Sequence, residues 1–191
     1  MKQLTKSPDT RIRQGDIFSD VEYFVDINDD GVEARIRTIK FPLSVVLTQD
    51  CDLLWDNLRR VEKKGLTDNA ILISILLAPL YNFEYFKSGV HLEKLNLTAD
   101  NNWRKTRLED LIKNKNPRYH YLDTSDEDVS IVSSVVDFKH YFSVRQDYLE
   151  ANYKNAFRGS LNQLFREDLS QRFTSFLSRI ALPTEQQQIS N

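Results

Sequence analysis

The chain has 191 residues, of which 40% are hydrophobic and 28% charged, a composition that is typical of a globular protein and argues against disorder. Its 26 basic and 28 acidic residues give a formal net charge of -2, so a nucleic acid could be bound only through a local basic patch. One cysteine excludes an internal disulfide. The apolar stretches are too short to span a bilayer and the start does not resemble a signal peptide, which together predict a cytoplasmic protein.

The N-terminal part predicts a polar arm followed by a β-hairpin. Residues 1–13 are polar, and the turn residues at 15–16 then open the folded part. Segments 21–27 and 32–39 are rich in β-branched and aromatic residues. Between them lies Asn-Asp-Asp-Gly at 28–31, which is a strong hairpin signal.

The next part predicts two buried strands with an unusual segment after the first. Residues 42–47 form a short apolar strand that leads directly into Thr-Gln-Asp-Cys-Asp at 48–52, which contains the only cysteine. Segment 70–78 is apolar on both faces, as a central strand would be. The charged segment 53–68 between them indicates a solvated loop or a short helix.

The middle of the chain predicts short elements of both kinds. Segments 82–87 and 104–113 are expected to be short helices, the second with an apolar stripe. Three further strands are expected at 118–122, 129–136 and 140–144, where β-branched and aromatic residues are frequent.

The clearest pattern is an amphipathic helix over about 160–181, with Ser160 as the expected N-cap and Gln163 completing a capping box. Its apolar positions are Leu161, Leu164, Phe165, Leu169, Phe173, Phe176, Leu177 and Ile180. We expect this apolar face to pack against the sheet or to bind a protein partner or a second copy in a homodimer.

Together these elements predict an α+β protein with a single domain over 14–183. A curved antiparallel sheet or small SH3-like barrel is expected over 14–145, with inserted short helices and the long C-terminal amphipathic helix closing it. A polar, Gln-rich tail follows at 184–191.

Cys51 admits three interpretations. As a nucleophile it needs a lowered thiol pKa, which the adjacent Asp50 and Asp52 oppose unless His120 or His140 supplies a base. As a metal ligand it would combine with the same carboxylates and imidazoles, although no spacing here is specific for a metal motif. As a small buried residue at a strand end Cys51 needs neither a nearby base nor a metal, and this interpretation is favoured.

Candidate site residues follow from these patterns. The catalytic candidates are Thr48, Asp50, Cys51, Asp52, His120 and His140. The candidates for binding nucleic acid or a partner are Arg35, Arg37, Arg172 and Arg179, because arginine forms bidentate contacts with phosphates and carboxylates. The alternative for each is a core histidine or a solvated, paired arginine. No metal or cofactor is predicted.

Three short motifs occur in an order that resembles the PemK/MazF toxin family: Gly-Asp-Ile at 15–17, a strand after Pro42, and a strand that ends in Ala-Pro at 78–79. This resemblance covers residues 13–80 and implies an SH3-like barrel and RNA cleavage without a metal. The segment 48–52 also looks like a Ser/Thr-x-x-Cys-Asp element of uncharacterised bacterial proteins, which implies no activity.

The toxin resemblance places Thr48 where the family has a Ser or Thr at a strand end. A barrel arginine such as Arg13, Arg35 or Arg37 would then stabilise the charge that develops on the phosphate. Phe41 stands where the family usually has an arginine before proline, so the family's functional arginine is not carried over.

Three functions therefore remain open. The first is a bacterial accessory or interaction protein, in a toxin-antitoxin or phage-defence system, that binds a protein or a nucleic acid. The second is a PemK-like endoribonuclease. The third is an enzyme or metal site centred on Cys51 with His120 or His140. The sequence alone does not decide whether the protein is an enzyme.

Overall fold

An antiparallel sheet that curls into a half barrel forms the centre of the molecule. The computed structural model describes residues 3–6, 9–29, 31, 33–62, 69–99, 103–124 and 131–179. In this part of the chain the strands are β1 (Leu4–Thr5), β2 (Asp16–Asp29), β3 (Ala34–Val46), β4 (Ser74–Asn82), β5 (Tyr119–Leu122), β6 (Ser134–Asp137), β7 (Phe142–Arg145) and β8 (Phe157–Leu161). The expected α+β class with a curved antiparallel sheet is confirmed.

Five α-helices surround the sheet in the described ranges. They are α1 (Asp50–Val61), α2 (Phe83–Ser88), α3 (Lys105–Ile112), α4 (Gln146–Ala156) and α5 (Gln163–Leu177). Two 3-10 helices, Val90–Leu95 and Phe138–His140, complete the regular structure. None of the helices in this part of the chain has the length and apolarity required to cross a bilayer.

Seven strands follow one another across the sheet in the order β1-β8-β2-β3-β4-β6-β5, and β7 also pairs with β4. β4 is central because its first residues pair with β7, its middle with β3, and its last residues with β6. β8 extends the sheet beyond its expected end at residue 145. It lies between β1 and β2, and so holds part of the N-terminal arm in the sheet.

The predicted hairpin is present and longer than expected. β2 and β3 pair from Ile17 opposite Val45 to Asp29 opposite Ala34, with a bulge between Phe24 and Asp26. The base of this hairpin is buried in the half barrel, whereas its outer part is exposed on both faces.

Helix α5 covers one side of the sheet, but it begins later than predicted. Ser160 is not its N-cap, because Ser160 is a β8 residue paired with β1 and β2, and Asn162 occupies the cap position. Phe173 and Phe176 are buried as expected, whereas Leu164 is 58% exposed. Residues 180–181 of the predicted helix and the tail at 184–191 lie outside the described residues.

Three apolar clusters form the core, and the third positions the cavity that is considered next. The first lies between the sheet and α5, and the second between the sheet, α1 and α4. The third joins Tyr81 of β4, Phe86 of α2, Leu111 of α3 and Val135 of β6. It anchors α2, the following 3-10 helix and α3 beside the end of β4.

Candidate functional site

The segment 48–52 is the start of a helix rather than a turn at the end of a strand. The Thr48 hydroxyl accepts a hydrogen bond of 2.7 Å from the Leu76 N–H of β4, and α1 begins two residues later. Cys51 is exposed in the first turn of α1, and its thiol donates to Gln49 at 3.6 Å and to Asp52 at 3.7 Å. The favoured interpretation of Cys51 as a small buried residue is therefore wrong, since the helix turns it toward solvent.

Asp50 holds the N-terminal arm against α1. The Arg11 guanidinium donates to both of its carboxylate oxygens, at 2.8 and 3.2 Å, and the Gln14 N–H donates at 3.3 Å. Burial raises the pKa of Asp50, but the hydrogen bond and the positive charge of Arg11 outweigh burial and hold it below its usual value. Asp52 is exposed. The contacts with Arg11 and Gln14 give Asp50 a structural role.

The two candidate histidines lie in different surroundings. His120 is only 2% exposed and packs against the Phe138 ring, and burial, assisted by the charge of Arg172, lowers its pKa to about 3, so it is a neutral core residue. His140 contacts Tyr81, which lies five residues beyond Leu76 along β4, a distance of about 16 Å. The structure therefore does not bring His140 to the segment that starts at Thr48.

The four candidate arginines do not form one patch. Arg35 pairs with Glu33 at 3.4 Å and Arg37 with Asp26 at 2.6 Å on the exposed hairpin. Arg172 donates to main-chain carbonyl groups of the loop before β5 and of the first β5 residue, and Arg179 lies over the Phe176 ring at 3.8 Å. Each of these arginines has a partner within the chain.

A cavity of about 760 Å³ lies beside the third core cluster, and we call it the basic cavity. Four cationic side chains line it together with one carboxylate, Asp110, which pairs with Lys115 at 3.7 Å. Arg107 and Lys139 have no carboxylate partner in the described part of the chain. The lining side chains used below are His91, Phe86, Trp103, Arg107, Asp110, Lys115, Arg118, Tyr119, Lys139 and His140.

Aromatic rings form one wall of the basic cavity. The Phe86 ring contacts those of Trp103 and Tyr119, each at a centroid distance of 5.0 Å. The His91 ring lies 4.7 Å from Phe86 and 4.7 Å from Tyr81. Its Nδ1–H donates to the Tyr85 carbonyl at 3.4 Å, because a carbonyl oxygen can only accept. The Nε2 atom of neutral His91 therefore carries the lone pair.

A buried carboxylate positions two other lining residues, Arg118 and His140. Asp137 is 1% exposed, and the Arg118 guanidinium donates to its two oxygens at 2.8 and 2.6 Å. His140 Nδ1 lies 3.3 Å from the Asp137 carboxylate and 3.1 Å from the Tyr81 hydroxyl. Because Nδ1 is engaged by these two groups, Nε2 is the ring nitrogen that His140 can offer to a ligand.

The protonation states follow from burial. Burial lowers the pKa of both His91 and His140, although Asp137 acts in the opposite direction, so both imidazoles are neutral at pH 7. Burial raises the pKa of Tyr81, whose hydroxyl stays protonated. The hydrogen bond with Asp137 raises the pKa of Arg118, which remains a cation.

Of the predicted site residues, only His140 lines the basic cavity. His91, Tyr81, Arg118 and Asp137 were not predicted, because they come from separate segments that only the fold brings together. The sequence carries no local pattern that marks these four residues as neighbours. No group of three or more His, Cys, Asp or Glu side chains within the described ranges is arranged to hold a metal ion.

Comparisons with known proteins do not assign the chain to a family. No model of a known protein family matches it, and no curated protein shows significant similarity to it. A function is therefore inferred from the residues of the basic cavity.

Proposed function

We propose that this protein binds single-stranded nucleic acid in the basic cavity. The observation that carries the proposal is the combination of four cationic side chains with a wall of aromatic rings in one cavity. Proteins that bind single strands combine these features, because cations follow the phosphates while bases stack on aromatic side chains.

The charge distribution supports a local site rather than a general affinity for polyanions. The whole chain carries a formal net charge of -2, so the attraction must come from the cavity itself. Arg107 and Lys139 are exposed at the cavity and have no carboxylate partner among the described residues, which leaves them available for phosphates. Arg118 is held by Asp137 and presents a fixed positive charge near both imidazoles.

Fluorescence anisotropy with a labelled single-stranded RNA tests the proposal. We expect binding that weakens as salt rises from 50 to 200 mM, with a slope of about 0.7 in the logarithm of the affinity for each phosphate contacted. Arg107→Glu and Lys139→Glu should each weaken binding several-fold. Trp103→Ala should weaken it about 5-fold or more through loss of stacking, while Trp103→Phe should restore part of the affinity.

Arg35→Glu is the matched control, because Arg35 is an exposed arginine of the hairpin, away from the cavity. It should leave the affinity nearly unchanged. Equal weakening by Arg35→Glu and Arg107→Glu, or no binding at 50 mM salt, would contradict the proposal. Thermal melting of each variant shows that a change in binding does not come from unfolding.

A second candidate function, cleavage of RNA, is favoured by the two imidazoles in the basic cavity. One neutral imidazole would take the proton of a 2′-hydroxyl as its oxygen forms a bond to the adjacent phosphorus. The other, as imidazolium, would protonate the 5′-oxygen as its bond to phosphorus breaks, leaving a 2′,3′-cyclic phosphate. Arg118 would stabilise the charge on the phosphorus oxygens.

The lowered pKa of both histidines sets the expected pH dependence of cleavage. The reaction needs one protonated and one neutral imidazole, so the rate should rise as the pH falls below about 6.5, until both become protonated. His91→Ala and His140→Ala should each reduce cleavage about 100-fold or more while RNA binding is kept. Cleavage of DNA, which lacks the 2′-hydroxyl, at the same rate as RNA would refute this mechanism.

The cellular role is also part of this proposal. An accessory role in a toxin-antitoxin or phage-defence system would agree with a protein that binds or cleaves nucleic acid, as would the resemblance of residues 13–80 to the PemK/MazF family. Thr48 and the hairpin arginines, which that resemblance implied as catalytic, contact other groups in this chain. The cavity is therefore the first place to test.

A further inference from the structure

One ring nitrogen of His140 has two partners of opposite hydrogen-bonding character. The His140 side chain lines the basic cavity and is 16% exposed. Its Nδ1 lies 3.1 Å from the Tyr81 hydroxyl and 3.3 Å from a carboxylate oxygen of Asp137. A hydroxyl can donate a hydrogen bond, whereas a carboxylate can only accept one. Nδ1 therefore has a partner both when it carries a proton and when it does not.

The Asp137 carboxylate can accept one more hydrogen bond. Its two oxygens offer about four acceptor positions. Arg118 fills two of them through Nε and Nη2, at 2.8 and 2.6 Å, and the Lys139 N–H fills a third at 3.0 Å. When His140 is protonated, its Nδ1–H can fill the fourth with a charge-assisted hydrogen bond. Asp137 is thus placed to stabilise the imidazolium form of His140.

Tyr81 stabilises the neutral form of His140 in turn. The Tyr81 hydroxyl keeps its proton, because burial and the charge of Asp137 both raise its pKa. When this hydroxyl donates to Nδ1, the neutral His140 ring carries its own proton on Nε2. The neutral and the protonated ring therefore both have an Nε2–H on the side away from Asp137, and they differ by one positive charge.

The charged groups around His140 set the pH range in which it titrates. Burial lowers the pKa of His140, Asp137 raises it, and the cations Arg118 and Lys139 lower it. His91 is the other imidazole of the cavity, and the charge of His140 acts to lower the pKa of His91. His140 is therefore neutral at pH 7 in the free protein. An anion bound in the cavity acts against the two cations, because a negative charge favours the protonated ring.

We propose that His140 is a proton-linked switch of the basic cavity, which takes up a proton from the solvent when nucleic acid binds and so adds a fifth cation to the site. This inference rests on the proposed function, since the bound phosphate is the group that favours the proton. On protonation, Nδ1 exchanges the Tyr81 hydroxyl for the Asp137 carboxylate as its partner. Affinity for single-stranded nucleic acid therefore rises as the pH falls, and binding in turn raises the pH at which His140 is half protonated.

Uptake of a single proton limits the size of the effect. The affinity changes by no more than about tenfold per pH unit, because its logarithm depends on pH with a slope equal to the number of protons taken up. Couplings between two sites are typically about 5- to 150-fold. We expect the affinity to be about 5-fold or more higher at pH 5.5 than at pH 8. The salt dependence should be steeper by about 0.7 at the lower pH, because one more phosphate is neutralised.

Fluorescence anisotropy with a labelled 2′-O-methyl oligouridine across pH 5.5 to 8 tests the switch. The methylated 2′-oxygen cannot attack the phosphate, and neither the bases nor the phosphodiesters of this probe titrate in that range. His140→Gln should bind with an affinity that no longer rises as the pH falls. His91→Gln is the matched control, because it removes the other imidazole of the cavity, and it should keep most of the pH dependence whatever its affinity.

Substitution of the two partners of Nδ1 tests how the switch works. Tyr81→Phe removes the donor to neutral His140, so the midpoint of the pH dependence should rise by about 0.5 to 1 pH unit. Asp137→Asn removes the acceptor and should lower the midpoint. NMR titration of the His140 ring gives the midpoint with and without the oligouridine, and thermal melting identifies a variant that does not fold. If Asp137→Asn does not fold, Tyr81→Phe decides the test.

The possible outcomes separate the switch from the proposed function. Absence of oligouridine binding at every pH would overturn both. Binding that does not change with pH, or a pH dependence that persists in His140→Gln, would overturn the switch and leave the nucleic-acid site in place. The switch would also be wrong if the His140 midpoint were the same with and without oligouridine, or if Tyr81→Phe lowered it.

Discussion

Replacing Asp16 with asparagine should stabilise the protein at neutral pH and change how its stability depends on pH. Asp16 is 1% exposed at the start of β2, where its carboxylate accepts a hydrogen bond from the Arg13 N–H at 2.9 Å. Burial raises its pKa from 3.8 to about 6, although hydrogen bonds with Ser160 and Arg13 act in the opposite direction. The folded protein therefore holds this proton over a pH range in which the unfolded chain has already released it.

The direction and size of the change in stability follow from the difference between the pKa of Asp16 in the folded and in the unfolded state. Below pH 3.8 Asp16 is protonated in both the folded and the unfolded state, and its favourable contribution to the free energy of unfolding is complete. As the pH rises from 3.8 to 6, the unfolded chain releases this proton while the folded state must keep it or bury a charge, and the free energy of unfolding falls by about 3 kcal/mol. Asparagine bears no charge and can keep a hydrogen bond with the Arg13 N–H. After allowance for weaker hydrogen bonds, Asp16→Asn should gain about 1 to 3 kcal/mol at pH 7.5.

Urea denaturation of the wild type and of Asp16→Asn at pH 4 and pH 7.5 measures the effect. The difference in unfolding free energy between the two proteins should favour the variant at pH 7.5 and shrink or reverse at pH 4. Asp26→Asn is the control, since Asp26 is exposed and paired with Arg37. A difference between Asp16→Asn and the wild type that is the same at both pH values would refute the reasoning.

Three further substitutions test how α5 is held in the fold. Phe173→Asp should unfold the protein or leave it insoluble, because truncating a buried phenylalanine alone costs about 3 to 5 kcal/mol. Leu164→Asp is the control at an exposed position of the same helix, and it should barely change the melting temperature. Arg172→Ala should lower the free energy of unfolding, measured by urea denaturation, by about 2 to 3 kcal/mol, because the carbonyls of Asn114, Asn116 and Tyr119 lose their donor. A loss of less than about 0.5 kcal/mol would contradict this role of Arg172.

Elements that depend on local sequence were predictable. The hairpin was found because Asn-Asp-Asp-Gly at 28–31 favours a tight turn between two β-rich segments. The apolar spacing of α5 identified the helix that buries Phe173. Its start was misplaced because strand pairing of Ser160 overrides a local capping signal, and nothing in the local sequence reveals that pairing.

The start of α1 shows a different reason for error. Asp50 and Asp52 are acidic residues in a first helical turn, where they interact well with the helix dipole, and the apolar spacing after them is helical. These residues therefore favour a helix start at Asp50, in the same segment that contains Cys51.

The basic cavity could not be read from the sequence, because its residues lie on separate elements and become neighbours only through packing. His140 was a candidate on its residue type alone. Its partner Asp137 lies between two predicted strands, and nothing in the local sequence indicates that it is buried against Arg118.

The position of β8 between β1 and β2 has a consequence for how the chain reaches its fold. The hairpin of β2 and β3 can form as soon as it is synthesised, since its strands are adjacent in sequence. The other edge of β2 stays unpaired until Gly159 arrives, almost at the opposite end of the described chain. A nascent protein would thus present an open strand edge for most of its synthesis, which is the stage at which a chaperone would protect it from aggregation.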